Sequence, residues 1–251
     1  MSNTQEKQAQ IVDMFNDIAP SYDRANRVMS LGIDVKWRKE ACKKAFEALG
    51  KEHISCILDV ACGTGDMLWH WYNEAKGAHK HIAKMYGIDP SSGMLQVARQ
   101  KLAPLMEQGI VELSIGQAKA LEIESKAIPS QSVEIVSIAY GLRNVVDLDK
   151  ALDEFARVLT HGGILVILEF MNNKPRGIFD SMMRFYTQRI LPLVGGLVSQ
   201  NYAAYKYLPD SIKHFVSSQE LAQKLLERGI KSYYIKGYSA NISTLYVGVK
   251  S

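Results

Sequence analysis

Apolar positions repeat with one period near the start of the chain and another beyond it. Between residues 6 and 50, Ile11, Met14, Phe15 and Ile18 recur at helical spacing. Pro20 breaks that run, and a second helix is predicted from near Asp34, with Lys39, Lys43 and Lys44 opposite Trp37, Ala41, Ala45 and Phe46. From residue 55 short apolar runs alternate with helical stretches. Strands are predicted at Cys56–Val60, Met85–Asp89, Val111–Ile115, Val133–Ala139 and Ile164–Phe170. Helices are predicted from about Asp66, from Ser91 as an N-cap, and from Asp147 to Leu159, where His161-Gly162-Gly163 stops the last one. Continuous apolar strands separated by helices imply a mostly parallel sheet covered on both faces.

Residues 174–217 interrupt the alternation with apolar, helix-like stretches, Pro192, Gly195-Gly196, and tyrosines at 186, 202, 205 and 207. Between Ser181 and Pro209 there is no acid, while Arg184, Arg189 and Lys206 are present. A helix over 218–228 and two strands, Lys231–Lys236 and Asn241–Val249, close the chain as a hairpin at one sheet edge. The expected organisation is one domain over 1–251. It comprises N-terminal helices at about 6–50, a cofactor sheet at about 55–170, a helical insertion at about 174–217 and a C-terminal helix and hairpin at 218–251.

Composition narrows the class. With 251 residues, 47% hydrophobic and 22% charged, the chain can bury a sizeable core, and disordered and collagen-like classes are excluded. A net charge of +4 does not point to nucleic acid. Cys42, Cys56 and Cys62 have no CxxC spacing, and the histidines show no ligand spacing, so no metal site is expected. The polar start MSNTQEKQAQ lacks a signal-peptide core, and no window reaches the ~18 apolar residues of a spanning helix. A cytoplasmic protein is expected, at most peripheral at a membrane.

The candidate chemistry starts at Asp59-Val60-Ala61-Cys62-Gly63-Thr64-Gly65-Asp66, which follows a strand and opens a helix. Glycines let a ligand approach the backbone, and the helix start offers N–H donors. A dinucleotide site wants G-x-G-x-x-G, but its third glycine position is Leu68. S-adenosylmethionine sites read acid-x-G-x-G-x-G, and here Ala61 replaces the first glycine. Asp89 ends the second strand, where a carboxylate can accept both ribose hydroxyls of either cofactor. Asp59 could meet the cofactor's ammonium or pair with loop N–H groups. Thr64 supplies a hydroxyl or a turn residue, and Cys62 has no assignable base to make it a nucleophile.

Together with other stretches, this turn resembles the ubiquinone/menaquinone-biosynthesis C-methyltransferases. The resemblance rests on Phe15-Asn16-Asp17-Ile18-Ala19-Pro20-Ser21-Tyr22-Asp23 with Asn26, Met29–Gly32 and Trp37, and on the GTGD core. It also rests on Tyr140-Gly141-Leu142-Arg143-Asn144-Val145, and on Arg157-Val158-Leu159, Gly162-Gly163 and Leu168-Glu169-Phe170. It implies an α/β, Rossmann-like class I S-adenosylmethionine-dependent methyltransferase with an antiparallel edge strand and helical additions. The implied reaction is C-methylation of a polyprenylated quinol in menaquinone or ubiquinone biosynthesis, demethylmenaquinol favoured; the alternatives are another small-molecule O- or N-methyltransferase, or a non-catalytic subunit that retains the fold. This chain departs from the family at Ala25 and Asp34, where Met and His are usual, and at Thr160-His161, where Lys-Pro is usual. The pair facing the adenine is Gln117-Ala118, and Ala139 stands where a Ser is frequent. The expected cofactor residues are Asp59, Gly63, Thr64, Gly65, Asp89, Gln117, Ala118 and Ala139. Arg143 is expected to stabilise a phenolate or to tie down its loop by salt bridges, Asn144 to orient substrate or water or to form the turn, and Tyr22 to close over the site or to pack with a hydrogen bond. Residues 174–217 would line a prenyl-tail tunnel or dock at a bilayer. Alternatively they pack as an insertion or a homodimer surface.

Overall fold

The computed structural model describes residues 3–123, 126–175, 177 and 202–251. Its centre is a seven-stranded sheet of β1 (His53–Val60), β2 (His81–Asp89), β3 (Val111–Ile115), β6 (Val133–Ala139), β7 (Leu159–Phe170), β8 (Ile230–Tyr238) and β9 (Ser243–Lys250). The strand order is β3-β2-β1-β6-β7-β9-β8, and β1, β2, β3, β6 and β7 pair in parallel. β9 runs against both β7 and the outer strand β8, so the C-terminal hairpin forms the edge. A small hairpin, β4 (Glu122–Ile123) and β5 (Lys126–Ala127), decorates the loop after β3.

The parallel strands read as apolar runs because both sheet faces are covered. On one face α3 (Ile33–Leu49), α4 (Asp66–Gly77) and α5 (Ser92–Glu107) bury Phe46, Trp71 and Leu102 against Ile57, Met85 and Ile135. On the other, α6 (Leu148–Val158) and α8 (Ser218–Leu226) bury Phe155, Leu221 and Leu225 against Leu58, Val136 and Leu165. Asp147 caps α6, Ser91 caps α5 through the Met94 N–H, and Ser217 with Glu220 forms a capping box on α8.

Two segments differ from the sequence pattern. The strand expected from Ile164 begins at Leu159, which pairs with Val133, whereas Ile164 pairs with Ile135. The extra residues on β7 form a bulge around Gly162, at φ 73°, so the glycine pair bends a strand as well as ending a helix. At the N-terminus, the Pro20 break is a 3-10 turn, Ala19–Ser21, between α1 (Asn3–Ile18) and a further helix, α2 (Tyr22–Ser30). α2 buries only Ala25 fully, which is too weak an apolar stripe to register as a helix by period. Leu31 and Gly32, at φ 51° and 74°, turn the chain into α3. Residues 178–201 of the expected insertion lie outside the described residues, and its described end is α7 (Tyr202–Lys213). Among the described residues, no helix is long and apolar enough to cross a membrane.

Candidate active site

β1 ends at Val60, and the chain turns through Ala61, Gly63 and Gly65, at φ 51°, 56° and 81°. A side chain on Gly65 would meet Leu102 Cδ1 at 2.6 Å, so this glycine lets the turn sit down on α5. The Cys62 N–H donates to the Ile88 carbonyl at 3.0 Å, tying the turn to β2. Leu68, at the third-glycine position of a dinucleotide site, is fully buried facing Gly87, where a Cβ would lie 2.7 Å from it. The Cys62 thiol is buried, and burial pushes it well above its ordinary range, which suits packing and not nucleophilic work.

Two carboxylates stand at adjacent strand ends. Asp89 accepts from the Gly63 N–H at 2.9 Å and the Ser91 N–H at 2.8 Å. Burial nevertheless raises its carboxyl to about 6, outweighing those bonds. Asp59 accepts from Ser137 Oγ at 2.6 Å, and Ser137 accepts from Trp71 Nε1 at 3.0 Å. Burial raises Asp59 to about 7 against the pull of Ser137 and Arg38.

The N-terminal helices are fastened over this turn by charges that lie far apart in sequence. Thr64 Oγ1 donates to Asp23 at 2.6 Å, and Lys101 bridges Asp23 at 2.7 Å and Asp66 at 2.6 Å. Arg27 reaches Asp66 at 2.6 Å and also pairs with Asp34, which Arg38 approaches at 3.2 Å. Although burial raises the Asp66 carboxyl, Lys101 and Arg38 outweigh it and hold it down to about 2. Asn16 Oδ1 accepts from Ser91 Oγ at 2.7 Å and the Gly93 N–H at 2.9 Å, clamping α1 onto the start of α5.

Two cavities result. A cleft, partly open to solvent, lies over the carboxyl ends of β1, β2 and β6, where open α/β sheets place their ligands. Asp59, Gly63, Thr64, Asp89, Gln117, Ala118, Ala139, Asn144 and Tyr22 line it, together with Arg38 and α1. Gly65 lies beneath it, in contact range of α5. Next to it is a largely apolar cavity, also partly open to solvent, lined by Ile18, Met29, Trp37, Phe170 and Leu208 among others. Phe15, Tyr22, Arg38 and Tyr140 line both.

Arg143 faces the second cavity and not the first. Its Nη1 donates to Glu169 at 2.6 Å and to the Tyr140 carbonyl at 2.7 Å, and its guanidinium lies 5.5 Å from the Phe170 ring centroid. Glu169 is fully buried, so Arg143 ties its loop to β7 through a buried ion pair. Asn144 Oδ1 is buried without a hydrogen-bond partner among the described residues, beside the cleft. Tyr22 is half-buried, and burial raises its phenol, opposed by Arg143.

Sequence reading did not single out Arg38 or the Arg27–Asp34–Asp66–Lys101 network, and it quoted Tyr140 only as part of a motif, with no role. Arg38 is 6% exposed and lies 5.2 Å over the Tyr140 ring. Tyr140 holds φ 60°, a conformation bulky side chains avoid, with its hydroxyl 3.1 Å from Ser243 Oγ. An available signal was Arg38 itself, a cation on the apolar side of an otherwise amphipathic helix.

Sheet order, glycine turn and paired carboxylates define the fold and site of a class I S-adenosylmethionine-dependent methyltransferase. Among solved structures, an S-adenosylmethionine-dependent methyltransferase from Aquifex aeolicus superposes with a TM-score of 0.55 at 16% identity, covering 84% of this chain and 89% of that one. The [4+2]-cyclase SpnF superposes at 0.58 and 15% identity, covering 84% and 80%, so the fold alone does not fix the chemistry. Sequence takes the assignment further: residues 2–250 match the ubiE/COQ5 methyltransferase family, and the chain belongs to it. A ubiquinone/menaquinone biosynthesis C-methyltransferase UbiE from Campylobacter jejuni is 44% identical over 245 residues, covering 98% of this chain and 99% of that protein. A demethylmenaquinone methyltransferase from Thermus thermophilus is 38% identical over 235 residues, covering 94% and 99%.

Proposed function

We propose that this enzyme C-methylates the ring of a polyprenylated quinol, demethylmenaquinol in the first place, using S-adenosylmethionine. The observation that carries the reading is the pair of adjoining cavities, one lined by the Asp59 and Asp89 carboxylates and the glycine turn, the other largely apolar, sharing Phe15, Tyr22, Arg38 and Tyr140. The names of the Campylobacter and Thermus relatives supply the quinone class and the naphthoquinone.

The cleft suits the cofactor in its donor set. Asp89 keeps lone pairs for ribose hydroxyls while its loop N–H bonds hold it in place. Asp59 sits at the other strand end as partner for an ammonium, and the orphaned Asn144 Oδ1 awaits a donor. Gln117 and Ala118 would border the adenine, Thr64 and Ala139 the remaining walls. Bound there, the cofactor supplies an electrophilic sulfonium methyl.

The protein's own residues then have three tasks. They hold the acceptor ring in the second cavity in line with that methyl. They stabilise the phenolate left when a quinol hydroxyl loses its proton, for which Arg143 is the proposed cation, oriented by Glu169. Tyr22, kept protonated by burial, donates a hydrogen bond at the junction. The ring carbon activated in this way would accept the methyl group, and its proton would pass to solvent as the phenolate oxygen is reprotonated and aromaticity returns. Incubation with methyl-labelled cofactor and reduced demethylmenaquinone should put label into a C–CH3 product. Label in an O-methyl ether, or none with an active control, overturns the proposal. Arg143→Lys should keep cofactor affinity and lose about 10²-fold or more in kcat, because an ammonium cannot hold both the loop and the ring oxygen.

A further inference from the structure

The corner between α2 and α3 presents apolar side chains to solvent at the lip of the apolar cavity. Leu31 is 83% exposed, and Val28 and Ile33 are each 43% exposed. The other large apolar side chains of similar exposure among the described residues lie on other elements, Trp69 on α4, Ile115 at the end of β3, Leu226 on α8 and Tyr233 with Ile235 on the edge strand β8. Leu31 and Ile33 also line the second cavity, which places its mouth at this corner.

Two further features set the corner apart. Leu31 holds a left-handed backbone, φ 51°, at the end of α2, a position that glycine or asparagine fills at lower cost. A bulky apolar residue is therefore kept where neither solvation nor backbone preference favours it. The charges around the tip are one-sided. Arg24 lies one helical turn before Val28, and Lys36 lies one turn after Ile33 on the same face. Both are exposed, and neither has an ion-pair partner among the described residues. The one acid between residues 24 and 39, Asp34, is buried under Arg27 and Arg38.

We propose that this corner is the membrane-docking surface: Val28, Leu31 and Ile33 enter the interface of a bilayer while Arg24 and Lys36 meet anionic headgroups. An apolar tip flanked by cations is the arrangement that binds such interfaces. The inference rests on the quinol reading for its cargo, since a long apolar tail could then pass from the bilayer into the cavity without crossing water. It assigns membrane contact to the N-terminal helices, in place of residues 174–217, most of which lie outside the described residues.

The test is vesicle co-sedimentation with phosphatidylcholine alone and with added phosphatidylglycerol, at low and high salt. Wild type should bind the anionic vesicles more tightly, and less so in high salt. Leu31→Asn should weaken that binding about tenfold or more, with an unchanged or higher Tm because asparagine tolerates the left-handed backbone. Lys36→Glu should weaken binding to anionic vesicles only. Leu226→Asn, an exposed leucine on α8, should bind like wild type. Wild-type binding in Leu31→Asn, equal loss in Leu226→Asn, or a corner that mediates self-association without vesicle binding would each overturn the proposal. Methylation of a short-tailed, water-soluble quinol without vesicles reports separately on the reaction, so its failure leaves the docking result readable.

Discussion

Ala61 carries its methyl group where the backbone turns left-handed, and a side chain on Gly141 would lie 2.5 Å from that methyl. The other contacts at Gly141 are ordinary, so Ala61 alone forbids a larger residue there. Gly141→Ala should therefore cost about 1–3 kcal/mol by overpacking. In an Ala61→Gly background most of that loss should vanish, and a denaturant-unfolding double-mutant cycle should show a coupling above ~1 kcal/mol. Additive losses would refute the contact. Asp59 allows a second prediction. Its carboxyl is raised from the ordinary range to about 7, so the folded chain without cofactor keeps a proton that the unfolded chain releases near pH 4. Stability from this group is unaffected below that pH, falls as pH rises through the interval, and is lowest above pH ~7. Cofactor binding runs the other way if Asp59 meets the ammonium, because only the carboxylate pairs with it. Affinity measured by calorimetry should rise about tenfold between pH ~5.5 and ~7.5, and Asp59→Asn should flatten that rise while stabilising the cofactor-free protein at neutral pH. A pH-independent wild-type Kd would remove Asp59 from the ammonium site.

At the scale of elements, the sheet could be read from sequence and the N-terminal cover could not. β1, β6 and β7 each carry a buried, mostly apolar run because both faces are covered there, so those runs alone announced them. The turn from Asp59 to Asp66 was equally legible, since glycines, helix start and Asp89 stand in register. α2 was missed because polar groups hold it in place. Asp23, Arg27 and Asn26 face partners or the cavity, and only Ala25 is fully buried. Ion pairs joining residues 23, 27, 34, 66 and 101 leave no periodic trace, since each partner lies on a different element. The pairing of Arg143 with Glu169 was hidden for the same reason. The clamp between α1 and α5 is the testable consequence. Asn16→Ala removes the acceptor of both Ser91 Oγ and the Gly93 N–H. The expected cost is about 1–2 kcal/mol of global stability, with a larger rise in protease cleavage within α1 than elsewhere. Because α1 brings Ile11 and Phe15 to the cleft, cofactor affinity should fall several-fold as well. Unchanged α1 protection would show that apolar packing of Ile18 and Met94 holds the helix without the asparagine.

At the scale of the whole molecule, the two adjoining cavities differ in what walls them. The first cleft is floored by the strand ends and their loops, with α1, Tyr22 and Arg38 along one side, whereas the apolar cavity is walled largely by α1, α2 and α3 and by Tyr207 and Leu208 of α7. Specificity for the acceptor should therefore reside in the helical additions, and blocking the second cavity should leave the first intact. Met29 lines the apolar cavity and is absent from the cleft. Met29→Trp places an indole in that space without touching Asp59, Asp89 or the glycine turn. Cofactor binding, followed by calorimetry or by its thermal stabilisation of the protein, should stay within about twofold of wild type. Methyl transfer to demethylmenaquinol should drop by about 10²-fold or more, because the ring can no longer reach an in-line position. A smaller, tail-less hydroquinone should lose less, since it needs less of the cavity. Should Met29→Trp instead weaken cofactor and acceptor equally, the two cavities would be one continuous site, and the division of labour between sheet and helical cover would fall.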